Sequence, residues 1–288
     1  MSQQNAVAVG KAIYFLTNDQ ANGVVAIPIG ADSTLSQGTV TGTGGCDFVG
    51  LNSDSQPTTP DASTTPPFGP TNTVSQTFFS ADESLLFTTV KGDLPTNKTG
   101  FLSALAVEQV QAADGATVMT LAGADTRSTP EGTAVLFGSQ VIPGTSNMFV
   151  TDVAFGAATL CVDPVTGETT TMAKVEVDGQ VATCWVAISP AIGTAFVTDT
   201  DFNELVEINF QDARILSELD LSANGDPGPI CLRPPVTFVH ALSPGNGTTE
   251  AAVTVVDVSG GSGSVMMIQH FGLNYLAGQN AQGMAVLA

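Results

Sequence analysis

Asn147 to Met172 reads NMFVTDVAFGAATLCVDPVTGETTTM. It divides into three short strand segments, MFVTD, TLCVD and ETTTM. The last two are joined by DPVTG, from Asp163 to Gly167, with proline early in the bend and glycine closing it. The same grammar recurs at IYFLTNDQANGVVAIPI from Ile13, LFTTVKGDLPTNKTGFLSALAV from Leu86, AFVTDTDFNELVEINF from Ala195 and TFVHALSPGNGTTEAAVTVVDV from Thr237. Aligned on Phe15, Phe87, Phe149, Phe196 and Phe238, the residue two places on is Thr17, Thr89, Thr151, Thr198 and then His240. A unit of three or four strands cannot bury both of its faces alone, so it must stack on copies of itself. The expected fold is all-β, a β-propeller.

Working outward, apolar residues alternate or come in short runs broken by Gly, Pro, Asn and Asp, and helical periodicity is almost absent. The first unit runs from Ala12 to about Thr43. Between Gly44 and Pro70 lies an irregular stretch with five prolines, read as a long loop. Four further units follow, so the count is five blades in a single domain spanning residues 1–288. AQGMAVLA at the C-terminus looks like an inner strand with no unit after it, and the first unit lacks that strand. Met284 to Leu287 is therefore expected to pair with Ile13 to Leu16 and close the ring, which removes exposed sheet edges.

Composition narrows the partners. The chain has 288 residues, 27 acidic against 7 basic side chains and a formal charge of −20. Such a surface repels phosphate backbones and anionic lipid, so neither nucleic acid nor a membrane surface is expected as a partner. Solubility in an acidic medium is the plainer use of the charge. No run approaches the ~20 apolar residues of a membrane helix. Ser, Thr, Gly, Asn and Gln carry the surface polarity, as in secreted proteins, and sequons occur at Asn97 and Asn246. An extracellular monomer whose leader is absent from this chain is the expectation, with the cytoplasm as the alternative. Cys46, Cys161, Cys184 and Cys231 are widely spaced and form no CxxC pair, which argues against zinc. Cys184 and Cys231 occupy similar places in TCWVAI and PICLRP, on inner strands of successive units, and read as small buried hydrophobes rather than a disulfide.

Longer stretches carry a resemblance. YFLTND, GPTNTVSQ, KGDLPTNKTGFLS, DTRSTPEGTAVLFGS, DGQVATCWVAISP, DLSANGDPG, ALSPGNGTTEAAVTVVDVSGG and NAQGMAVL are similar to fungal secreted propellers of the 3-carboxymuconate cyclase-like kind, related to the lactonase family that includes 6-phosphogluconolactonase. That family usually has seven blades. This chain departs from it between Cys46 and Pro67, where the second and third blades of the family are missing. The resemblance implies a lactonase or cycloisomerase acting on a small lactone or carboxylate. The alternative is a non-catalytic secreted propeller that binds glycan or protein.

In a propeller, the loops from outer to next inner strand and those between second and third strands share one rim. Here they hold Asn72 and Gln76, Asp125 and Arg127, Asp178, Gln180 and Thr183, Asn224 and Asp226, and Asn280 and Gln282. A polar ring around a concavity is the default ligand site, whereas each residue singly is as well used in satisfying turn backbone. A lactonase needs an acid or base and a cation for the substrate carboxylate. His240, which interrupts the threonine series, is the candidate base, and His270 is read as structural. Arg127 is the candidate anion anchor, with Arg233 second, and Gln76, Asp125, Gln180, Asp226 and Gln282 complete the substrate-binding set. No cofactor is called for. Asn18, Asp152 and Asp199 follow the threonine in three units and are weak candidates for calcium, turn capping being the plainer role.

Overall fold

A computed structural model describes residues 11–17, 19, 21–43, 73–229, 231–233 and 237–287. The irregular stretch from Gly44 to Pro70, together with Cys46, Asn18 and Asn72, lies outside them. The protein is a five-bladed β-propeller. Blade 1 holds β1 (Ala12–Leu16), β2 (Gly23–Pro28) and β3 (Thr39–Gly42), with β21 (Gln282–Leu287) on its inner edge. Blade 2 is β4 (Val74–Phe79), β5 (Leu85–Val90) and the long β6 (Phe101–Gln111); both β7 (Thr117–Leu121) and β8 (Thr126–Ser128) pair with its outer side. Blade 3 is β9 (Leu136–Val141), β10 (Met148–Asp152), β11 (Gly156–Val162) and β12 (Thr169–Glu176). Blade 4 is β13 (Thr183–Ser189), β14 (Thr194–Asp199), β15 (Glu204–Asn209) and β16 (Ile215–Asp220). Blade 5 is β17 (Cys231–Arg233), β18 (Phe238–Ser243), β19 (Ala252–Asp257) and β20 (Met266–Gly272). The inner strands β4, β9, β13, β17 and β21 follow one another around the axis.

Burial follows position within a blade. β5, β10 and β14 are buried at every residue, because neighbouring blades cover both faces, whereas outer β12 alternates. Apolar clusters fill the junctions between blades 2 and 3, 3 and 4, 4 and 5, and 5 and 1. Phe15, Phe87, Phe149 and Phe196 are the largest enclosed side chains, each contributing about 1.5–3 kcal/mol by leaving water. The DPVTG turn forms as its residues dictate: the Asp163 carboxylate accepts from the amides of Val165 and Thr166, both at 2.8 Å. Gly167 takes φ +73° against Ala104 of blade 2, where a Cβ would lie 2.3 Å from the alanine methyl.

Polar side chains fasten the blades together. Thr89 donates to the carbonyl of Phe137 at 3.2 Å, and Thr151 to that of Cys184 at 2.7 Å, each reaching the inner strand of the next blade. Two inner-strand glutamines work alongside them: Gln76 accepts from the Ser139 amide at 2.7 Å and Gln140 from that of Ile188 at 2.8 Å. At the closing junction, Gln269 of β20 both accepts from and donates to the backbone of Leu35, at 2.6 and 3.0 Å. Asp152 and Asp199 hold the loops. Asp152 accepts from the amides of Ala134, Val135 and Ala154 at 2.7–3.0 Å, and Asp199 from those of Val181, Ala182, Asp201 and Phe202 at 2.7–3.1 Å. Each carboxylate thus ties the entry of an inner strand to the loop that follows its own strand. Burial pushes the Asp152 carboxyl above its ordinary 3.8 even against these donors.

His240 departs from its expected setting. It pairs with Val255 on β19, and paired residues share a face. Val255 belongs to the cluster between blades 5 and 1, so the imidazole points into that junction. It is 0% exposed, whereas Phe238 is only half-buried. His240 is enclosed like the threonines whose place it takes, Thr17, Thr89, Thr151 and Thr198, while Phe238 departs from the fully enclosed aromatic series. Among the described residues neither ring nitrogen has a hydrogen-bond partner, and burial lowers its pKa from 6.5 to about 4. It is a neutral core residue, away from any rim.

Closure is explicit: Ala12, Ile13 and Tyr14 pair with Leu287, Val286 and Ala285, and Leu16 with Gln282. Deleting residues 281–288 is expected to expose the apolar edge of β1 and remove several kcal/mol of a stability typically ~5–15 kcal/mol. Scanning calorimetry and light scattering check this; an unchanged melting temperature with no aggregation refutes it. Asp152→Ala strands buried amides at about 1–3 kcal/mol apiece, so urea unfolding should show a loss of about 3 kcal/mol or more, against little change for exposed Asp178→Ala. Equal effects would show that Asp152 does not hold the loops. For His240, the unfolded chain takes up a proton below pH 6.5 that the native state refuses until about 4. Stability therefore falls with pH across that window, by on the order of 3 kcal/mol. His240→Phe should remove that part of the acid limb, and parallel stability–pH curves for the two proteins would rule it out.

Candidate functional site

The rim reading places ligands where the outer-to-inner loops meet the loops between second and third strands. At that end a cavity of about 410 Å³ spans blades 2, 3 and 4, lined by Lys91, Leu94, Pro95, Val135, Phe137, Val153, Ala154, Ala182, Cys184 and Thr200. Its position follows from the local sequence. Lys91 emerges from the fully buried β5, and its backbone bridges to Val135 beside the start of β9. The loop that follows is pinned inward, since the amides of Gly92 and Gly100 both donate to the Ala134 carbonyl, at 3.1 and 2.6 Å. A Cβ on Gly92 would lie 2.3 Å from that oxygen, so the approach requires glycine. The short 3₁₀ turn Leu94–Thr96 then presents Leu94 and Pro95 as one wall.

The other walls come from inner strands. Phe137 of β9 sits edge-on to Trp185 of β13, with ring centroids 6.0 Å apart. The ammonium nitrogen of Lys91 lies 4.7 Å from the Phe137 centroid. Among the described residues, Lys91 forms no ion pair. Burial lowers its pKa below the ordinary 10.5, with the Cys184 thiol acting the other way. Cys161 and Cys184 are both thiols. The result is an apolar chamber with one amine, one thiol and one threonine in its walls.

The residues expected to form a polar ring go elsewhere. Gln76 is spent on its contact to blade 3. Gln180 accepts from the amide and hydroxyl of Thr183 at 2.9 and 3.0 Å and donates to the Val153 carbonyl at 3.1 Å. Asn224 accepts from Asn203 at 2.6 Å and from the Asp226 amide at 2.9 Å. Asp226, nearly enclosed, meets His270 at 2.7 Å between blades 4 and 5, so the histidine read as structural has a carboxylate partner. Asn280 donates to Asp19 at 3.1 Å, and Gln282 is exposed on β21 opposite Leu16.

Arg127 lies on β8, at the outer edge of blade 2, its Nε 3.1 Å from Asp125 and its guanidinium 5.1 Å from the Phe101 centroid. Asp125 also accepts from Ser103 at 2.7 Å. Arg127 borders a separate cleft of about 690 Å³ with Glu131, Glu168, Thr171 and Lys174, which mixes both charges. Arg233 lies on β17 opposite His240. The oxygens of Asp152 and Asp199 face amide donors, an arrangement opposite to the outward lone pairs a calcium ion requires. Among the described residues no group of three or more His, Cys, Asp and Glu side chains is placed to hold a metal.

Lys91, Phe137 and Cys184 escaped the sequence reading. A signal existed: Lys91 directly follows LLFTTV, an apolar run with no other charge, and is one of few cations in an acidic chain. A lysine at the end of a strand enclosed on both faces has its stem held in the core while its amine meets the nearest opening.

No family model matches the sequence, and no curated protein does. Solved structures do. A chain of a nidogen/laminin complex is 9% identical, with 97% of this chain and 99% of that one covered and a TM-score of 0.51. A candidate 6-phosphogluconolactonase from Bacteroides uniformis ATCC 8492 is 13% identical, with 88% of this chain and 66% of that one covered and a TM-score of 0.51. At such identities the likeness is one of fold alone, the β-propeller.

Proposed function

We propose that the protein is a lactonase-like propeller that receives a small lactone or carboxylate with an apolar body in the Lys91 chamber. The observation that carries this reading is the chamber itself. It is a concave, mostly apolar site with one convergent cation, at the loop-rich end beside the propeller axis, which is how small-molecule sites are usually built. Leu94, Pro95, Val135, Phe137 and Val153 would take the apolar part of the ligand, and Lys91 would meet a carboxylate or the carbonyl oxygen of a lactone. The amine is part-buried there, so a charge-assisted hydrogen bond gains strength. The second reading, a propeller that binds without turnover, is favoured by the walls: apart from Lys91 and Cys184, none of the lining side chains is ionisable.

Trp185, the one tryptophan of the chain, lies against Phe137 and reports occupancy through its fluorescence. Alicyclic and aromatic carboxylates, each paired with a neutral lactone of similar size, are expected to give saturable changes. Lys91→Met should weaken the carboxylates about 10–100-fold, the scale of one charge-assisted hydrogen bond, and leave the lactones nearly unchanged. Hydrolysis of 6-phosphogluconolactone and muconolactone, followed in a pH-stat, separates catalysis from binding. If no member of the panel perturbs Trp185 saturably, the chamber is not the ligand site; saturation without turnover selects the binding reading.

A further inference from the structure

Each basic group in this acidic chain can be asked what it neutralises. Arg127 has Asp125. Three of the four lysines, Lys11, Lys98 and Lys174, are exposed, and Lys174 rests 4.8 Å from the Phe155 centroid. Lys91 differs from the other lysines in its setting: it is part-buried and lines an apolar chamber. Its nitrogen faces the Phe137 ring, and among the described residues no carboxylate pairs with it. A site that keeps water and counter-charge from an amine favours the uncharged, nucleophilic form.

We infer that Lys91 is a covalent carbonyl-capture site: its ε-amine condenses with an aldehyde or ketone whose apolar body fills the chamber, and the product is an imine. This rests on the chamber being a ligand site, the reading given above, and adds the chemical class of a second kind of ligand. The step is balanced without redox. The Nζ lone pair attacks the carbonyl carbon, a C–N bond forms, and the carbonyl π electrons move to oxygen. That oxygen takes up the two protons the amine brought and leaves as water, so that amine plus carbonyl gives C=N plus water. The thiol of Cys184 and the hydroxyl of Thr200 are the other wall groups able to carry a proton during the transfer. Phe137 and Pro95 supply flat apolar surface that suits an aromatic aldehyde.

The probe is benzaldehyde at limiting concentration with sodium cyanoborohydride, whose hydride reduces the imine to a stable benzylamine. With four lysines in the chain, peptide mapping by mass spectrometry assigns each adduct. Lys91 is expected to be modified at least ~10-fold faster than Lys11 or Lys98, because the chamber holds the aldehyde beside the amine. An apolar carboxylate that saturates the Trp185 signal should slow modification of Lys91 alone. Modification of Lys91 no faster than that of Lys98 overturns the inference, and does so in the wild-type protein without any variant having to fold. Lys91→Arg, which keeps the cation and cannot condense, separates the two readings. Carboxylate binding retained in that variant, beside unmodified Lys91 in the wild type, sinks carbonyl capture and leaves the chamber reading standing. Selective modification of Lys91 with no saturable effect of carboxylates or lactones keeps carbonyl capture and sinks the lactone reading.

Discussion

A twisted four-stranded sheet with two apolar faces has no stable existence in water, and that constraint organises the whole molecule. Each blade needs a neighbour on both sides, and the blades that begin and end the sequence need one another. The chain meets the requirement by placing a C-terminal strand on the inner edge of the N-terminal blade, where β21 and β1 exchange backbone hydrogen bonds. Once the ring closes, both faces of the middle strands leave water. This is why β10 can bury Thr151 and Asp152 beside Met148 and Phe149 at essentially zero exposure. The polar members of that strand then become fasteners. The hydroxyl reaches the next blade, and the carboxylate holds the loops at the rim.

The fold was largely readable because a propeller writes its rule several times over. Five aromatic-centred segments, turn residues at matching offsets and an unpaired inner strand at the C-terminus predict five blades and their closure, and the structure has both. The threonine series also carried meaning that spacing alone could not supply, namely which atom the hydroxyl reaches. Alignment found the position and missed its setting. His240 takes the enclosed place that threonine holds in the other blades, so a residue that looked like a base at the rim is a neutral member of the core. Pattern matching counts along the strand, whereas the core selects by which side chain actually fills the junction.

The site was less legible for a related reason. Asn, Asp and Gln in loops look like a binding ring, but a loop must first satisfy its own amides and carbonyls. Gln180, Asn224, Asp152 and Asp199 are consumed in doing so. What remains for a ligand is what the backbone does not use: ring faces, aliphatic walls and an amine. Because the sequence reading looked for polarity, it passed over an apolar concavity at the expected end. The low basic content sharpens the contrast, since a lone lysine in apolar walls stands out more in a chain with so few cations.

The ring closure also has a temporal side. Ala12 pairs with Leu287, so two adjacent strands lie far apart in sequence, and the loop that must close between them is long. During synthesis β1 is made before β21 and waits, with its inner edge bare, until that strand emerges. Such non-local pairing makes folding slow, and the waiting edge is a template for any other strand it meets. The interval between the first and last strands leaving the ribosome is therefore when this protein is most exposed to mispairing with a second copy of itself.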